Sequence, residues 1–120
     1  MVTGRGKESV SYSLKSLLTK FNLSNSMFLE DEPRELAKPN PQSLLNSING
    51  MNCTSTLYVG DSMEDFIMAK RTSDLGQKTT FCGIIGTSKN PQEKLDLFEK
   101  NNAILVLDSI NLLPKVLNLE

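Results

Sequence analysis

The sequence predicts an α/β fold, with strands lying parallel in one sheet and helices packed against it, and three observations predict it. Residues 54–59, 78–85 and 103–107 form short apolar runs of strand length. The stretches between successive runs each carry a single helical pattern. Strands joined through single helices return across the sheet and pair in parallel.

Taken in order, Val10, Leu14, Leu17, Leu18 and Phe21 recur at helical spacing and predict a helix from about Glu8 to Phe21. Met27 to Leu29 reads as a short strand before the polar segment Glu30–Glu35. Asn40 and Pro41 suit the N-cap and first residue of a helix, with Leu44, Leu45 and Ile48 as its apolar face and Asn49-Gly50 as its end. The strand Thr54–Val59 is stopped by Gly60, and Met63, Phe66, Ile67 and Lys70 share one side of the following helix. Lys78–Ile85 is the next strand, Gln92–Lys100 a helix and Ala103–Leu107 a third strand. Ile110, Leu113 and Leu117 line a last helix. No repeat or linker divides residues 1–120, which read as one domain.

Composition prunes the chemistry. A net charge of −1 gives no reason to expect nucleic acid or an anionic membrane as partner. The chain has no His, so no Ser-His-Asp or Cys-His relay can be built from it. Cys53 and Cys82 lie outside any CxxC pattern, which leaves a zinc site unsupported and both thiols as small buried side chains. Apolar runs such as Ala103–Leu107 fall far short of the roughly 20 residues that cross a bilayer. The opening residues show no signal-peptide pattern, and the expected location is cytoplasmic. Carboxylates, Lys, Arg and hydroxyls remain for chemistry.

In an open parallel sheet, ligands gather beyond the C-terminal ends of the strands. Asp61 stands at such an end, after Gly60, and Asp65 falls in the first turn of the next helix. Two carboxylates so placed can converge on Mg²⁺, which takes one or two carboxylates and keeps waters that a phosphate can displace. Ser62 and Asp65 also have the spacing of a capping box, a purely structural alternative. In Ala37-Lys38-Pro39-Asn40-Pro41, Pro39 holds Lys38 extended beside a helix start, where a cation and free N–H groups can face an anion. The alternative there is an exposed lysine before an ordinary helix. Thr3-Gly4 at a strand tip can offer a hydroxyl and backbone N–H groups to a phosphoryl oxygen, or be a frayed terminus.

In this order, Thr3, Lys38-Pro39 and Gly60-Asp61-Ser62-Met63-Glu64-Asp65 resemble the hydroxyl, lysine and GDxxxD motifs of the haloacid dehalogenase-like hydrolases. The separations, 35 residues from Thr3 to Lys38 and 23 from Lys38 to Asp61, are similar to those of the phosphoglycolate phosphatase-like branch, as are Gly83-Ile84-Ile85-Gly86 and Leu107-Asp108-Ser109-Ile110. The resemblance implies a three-layer Rossmann-like sheet and a Mg²⁺-dependent phosphatase that works through an aspartyl-phosphate. It assigns Thr3 to a phosphoryl oxygen, Lys38 to charge neutralisation, and Asp61 and Asp65 to the metal.

One part of the family pattern is missing. The acids include no DxD pair, and only Met1 and Val2 precede Thr3. The expectation is therefore the C-terminal part of such a core domain, without its nucleophile strand and cap. A missing N-terminal segment would complete it, or the open sheet edge would self-associate. Completed, it would act on a small phosphorylated substrate. Uncompleted, the chain is expected to be inactive, or a non-catalytic module that binds phosphate, metal or a partner. A flavodoxin-like or receiver-like domain is a third reading, but it needs acids near the start of the chain, which are absent.

Overall fold

The helical stripe at the start of the chain is cut short by its own backbone. In the computed structural model, which describes residues 1–119, helix α1 spans Lys7–Leu14. Lys15 then turns to φ 48°, and the chain continues as a 3₁₀ segment, Lys15–Lys20. Ser9, Ser11 and Ser13 are weak helix formers because their hydroxyls compete for backbone groups, and Ser11 Oγ donates to the Lys7 carbonyl at 2.8 Å. With three residues per turn, a 3₁₀ segment cannot keep an α-helical stripe aligned. Val10 is buried, while Leu17 and Phe21 remain 59% and 41% exposed. The expected helix to Phe21 is thus an α-helix of half that reach.

The expected strand Met27–Leu29 contracts to a single parallel bridge between Val2 and Met27. Thr3 N–H donates to the Met27 carbonyl at 3.0 Å, and Met27 N–H to the Met1 carbonyl at 2.9 Å. The pairing goes no further: Leu29 N–H donates to the Arg5 carbonyl at 3.0 Å, and the Asp31 carboxylate accepts the Phe28 N–H at 2.8 Å as Leu29–Asp31 folds into a 3₁₀ turn.

Helix α2 spans Gln42–Met51. Asn40 Oδ1 accepts the Gln42 N–H at 2.9 Å, so Asn40 does cap the helix, but Pro41 stands just outside it. The far end passes Gly50 and closes at Asn52, in the left-handed region at φ 51°. The buried face of α2 is mixed: Leu44 and Ile48 enter the core, flanked by Ser43 and Ser47. These two serines tie the preceding loops to the helix. Ser43 donates to Glu32 at 2.9 Å, and Ser47 donates to the Asn25 carbonyl.

The sheet has three parallel strands in the order β1 (Thr56–Gly60), β2 (Thr79–Ile84) and β3 (Leu105–Leu107). Helices α3 (Met63–Asp74) and α4 (Pro91–Lys100) connect them. β1 and β3 begin two residues later than their apolar runs, since only residues with a partner on β2 can pair. β2 is central, and Phe81, Cys82, Gly83 and Ile84 are all buried. Phe81 meets Phe66 of α3 and Phe98 of α4, both with ring centroids 5.4 Å apart in edge-on geometry. Gly83 admits this contact, because a Cβ there would lie 2.8 Å from the Phe98 ring.

The last expected helix is a 3₁₀ turn, Ile110–Leu112, followed by the short α5 (Leu113–Val116). Ile110 and Leu117 do not line a packed face; they are 55% and 44% exposed. Cys53 and Cys82 are both free thiols, the second fully buried. Among the described residues, no helix is long and apolar enough to cross a membrane.

Phe98 touches both α3 and β2 and is wholly inaccessible. Phe98→Ala should destabilise the fold by about 3–5 kcal/mol, read from the shift of a urea unfolding curve.

Candidate functional site

β1 ends in a turn that only glycine can make here. Gly60 lies against Asp65, and a Cβ at residue 60 would fall 2.5 Å from Asp65 Cβ. This close approach folds the start of α3 back over the strand tip. Ser62 caps the helix: its Oγ accepts from Asp65 N–H at 3.2 Å and donates to Asp65 Oδ2 at 2.8 Å. The capping box foreseen at Ser62 and Asp65 is therefore formed, with Asp65 also accepting the Ser62 N–H at 3.2 Å.

The cap occupies only one side of the Asp65 carboxylate. Its other oxygen, Oδ1, accepts from Lys38 Nζ at 2.6 Å and from Tyr58 Oη at 3.0 Å. The Asp61 N–H adds a longer bond to Oδ2 at 3.3 Å. Five donors thus converge on one carboxylate that is only 4% exposed. Burial alone pushes the Asp65 pKa up, but the hydrogen bond and charge of Lys38, with the Ser62 and Tyr58 hydroxyls, hold it below the usual carboxylate value. The Tyr58 phenol moves the opposite way. Burial raises its pKa first, and the charge and hydrogen bond of Asp65 add to this, followed by the charge of Asp61.

Lys38 and Asp65, 27 residues apart in sequence, are therefore in direct contact. The Lys38-Pro39 peptide is cis. Arg71 from the far end of α3 donates to the Pro39 carbonyl at 3.3 Å and holds this loop beside the helix. Asp61 is exposed at the rim. Lys94 of α4 donates to its carbonyl oxygen, and Thr87 Oγ1 makes a long contact of 3.5 Å with its carboxylate. Thr3 reaches the same region through its neighbour, because Tyr58 Oη lies 3.4 Å from the Val2 carbonyl. Thr3 and Lys38 also line one small cavity of about 40 Å³ with Val2 and Gly4. The Thr3 hydroxyl oxygen accepts the Arg5 N–H at 3.1 Å, which leaves its own proton available to a ligand.

Two residues of this constellation were not singled out from the sequence. Tyr58 occupies an ordinary strand position, and its one signal was parity: it stands two residues before Gly60 and so shares its face. Lys94 sits in the first turns of α4, 33 residues beyond Asp61, and nothing local marked it.

The donor set for a cation is narrow. Among the described residues, no three His, Cys, Asp or Glu side chains cluster as metal ligands. Asp61 can offer a carboxylate. Asp65 can coordinate directly only by giving up one of its donors, whereas a bridging water leaves the network whole. Mg²⁺ tolerates such a site, since it keeps most of its waters. Compared with protein-family models, with curated proteins and with solved structures, the chain matches none.

Asp65 is held ionised, so it stabilises the fold above its unfolded pKa of about 3.9 and loses that contribution as pH falls through its lower folded value. Asp65→Asn should cost about 3 kcal/mol near neutral pH, with the difference from wild type closing below about pH 4. Urea midpoints measured between acid and neutral pH check both the size and the direction.

Proposed function

We propose that this chain carries the charge-stabilising part of a Mg²⁺-dependent phosphatase site of the haloacid dehalogenase-like kind. It is the C-terminal part of such a Rossmann-like core. The observation that carries this reading is the Lys38–Asp65 ion pair at 2.6 Å, which draws the lysine loop onto the acidic turn at the C-terminal end of β1. A parallel sheet collects ligands at that edge, and phosphoryl transfer is mostly a matter of positioning and charge there.

The roles follow from the atoms available. Lys38 has donors beyond the one it gives Asp65, and these can meet a phosphoryl oxygen. Asp65 fixes the direction of that ammonium and is a positioning residue. The Thr3 hydroxyl and the Gly4 backbone, with open space around Gly4, can bind a second oxygen. Asp61 would hold Mg²⁺, with Asp65 reaching it through water, and the bound cation would supply positive charge to the phosphate. The substrate class is a small phosphorylated molecule.

The chain contains no DxD pair, so this half-site lacks the nucleophile and the acid–base group of the resembled family. Placing a nucleophile in line can lower a barrier by about 7–11 kcal/mol. The alternative reading is a non-catalytic module that binds phosphate or a partner through the same residues.

The chain by itself should not hydrolyse p-nitrophenyl phosphate with Mg²⁺, and a segment bearing DxDx[TV] added in trans should restore turnover that Asp61→Ala abolishes. Calorimetric titration with Mg²⁺ should show weak binding that is lost in Asp61→Asn. Turnover by the chain alone that survives Asp61→Ala would overturn the mechanism. Silence in both arms with Mg²⁺ binding intact would select the non-catalytic reading.

A further inference from the structure

At the edge of the sheet opposite Asp61, the C-terminal ends of α3 and α4 flank a cavity of about 420 Å³. Small-molecule sites have volumes of roughly 300–1,000 Å³. Thr79 and Thr80 open β2, and Ala103 and Ile104 lead into β3, so the cavity lies beyond the N-terminal ends of the strands. Phe66 and Phe81, which meet edge-on and are themselves buried, give its lining an aromatic surface.

The polar groups around that surface specify what fits there. Lys70 and Asp74 stand one turn apart on α3, both exposed and both lining the cavity. They do not pair, since among the described residues the one ion pair joins Lys38 to Asp65. A lysine preceding an acid is the weaker order for a helix pair at this spacing. Asp74 is also the last residue of α3, where the carbonyl ends of the helix add to its negative charge. Two further acceptors line the same cavity. Asn101 Nδ2 donates to the Leu97 carbonyl at 2.9 Å, which leaves the Asn101 amide oxygen to accept. The Thr79 hydroxyl donates to the Gln77 carbonyl at 2.9 Å, which leaves its oxygen to accept. With the Asp74 carboxylate these make three acceptors, and an ammonium group has three donors.

We propose that this cavity binds a free aromatic α-amino acid, its ammonium on Asp74, Asn101 and Thr79, its carboxylate on Lys70, and its ring against Phe66 and Phe81. A zwitterion answers both unpaired charges of the rim at once, and an aromatic body gains from edge-on contact with the two rings. Other ligand classes leave groups unmatched. A phosphate dianion would meet a single cation, Lys70, with Asp74 one turn away. A metal ion would find one carboxylate, and among the described residues no three acidic, His or Cys side chains cluster. The site lies at the opposite edge of the sheet from Lys38 and Asp61 and is independent of the phosphatase reading.

The test is an NMR titration of the full chain with L-phenylalanine at millimolar concentrations. Saturable amide shifts should appear at Ser73, Asp74, Thr79, Thr80, Asn101 and Asn102, while Thr3, Lys38 and Asp61 stay in place. N-acetyl-L-phenylalanine lacks the ammonium and L-phenylalaninamide lacks the carboxylate, and each should bind about fivefold more weakly or less. Glycine, which has both charges and no ring, should not bind measurably. Asp74→Asn and Lys70→Gln alter exposed side chains outside any ion pair, so both variants should fold, and each should weaken L-phenylalanine binding by about fivefold. Absence of saturable shifts at these amides would overturn the proposal. So would equal binding of the blocked compounds by the unaltered chain, or binding unchanged in both variants. The probe carries no phosphate and the readout is remote from Asp61, so a negative phosphatase assay leaves this result standing.

Discussion

The buried carboxylate of Asp65 is the constraint around which the rest is arranged. An ionised group almost out of contact with water is tolerated only when its lone pairs are met by donors. Here they come from four separate places: the Lys38 loop, the Tyr58 side chain on β1, the backbone of the turn at Asp61, and Ser62 with the start of α3. Each donor fixes the position of the element that carries it. Lys38 cannot leave without exposing a buried anion, and Gly60 cannot carry a side chain without pushing that anion away. Removing one partner of such a pair is costly because the other remains buried and uncompensated.

The same network explains why the rim is polar and its two acids are unequal. Asp65 is consumed by the fold's own hydrogen bonds, Lys38 among their donors, while Asp61 is exposed and has one long side-chain contact. A turn that looks from its sequence like a pair of equivalent ligands is therefore divided. One carboxylate organises the turn, and the other lies open to solvent.

The sheet is the second organising element, and it ends abruptly. β2 is buried along its length from Phe81, and the aromatic contacts of Phe66, Phe81 and Phe98 secure α3 and α4 to it. β1 has β2 on one side and, on the other, a groove whose far wall is a single bridged residue pair. An open strand edge with apolar surroundings is a natural seat for further pairing.

How much was legible depended on whether the deciding interaction was local. The alternation of strands and helices, the parallel sheet, the Asn40 cap and the Ser62–Asp65 capping box all follow from spacing of a few residues, so the sequence by itself determined them. It also placed Asp61 at a strand tip and excluded histidine chemistry. The tertiary structure decided what depended on distant partners. The stripe from Val10 to Phe21 had the right period, but only Val10 found a core to enter. Ile110 and Leu117 had no packed layer to join, and Met27 could pair only where Val2 met it. The division of labour between Asp61 and Asp65 was equally invisible, because Lys38 lies 27 residues before Asp65 and the parity of Tyr58 with Gly60 does not show that its side chain reaches both Asp65 and Val2. Local spacing can set a backbone conformation, but which donors reach a buried charge is settled only when separate segments are packed together.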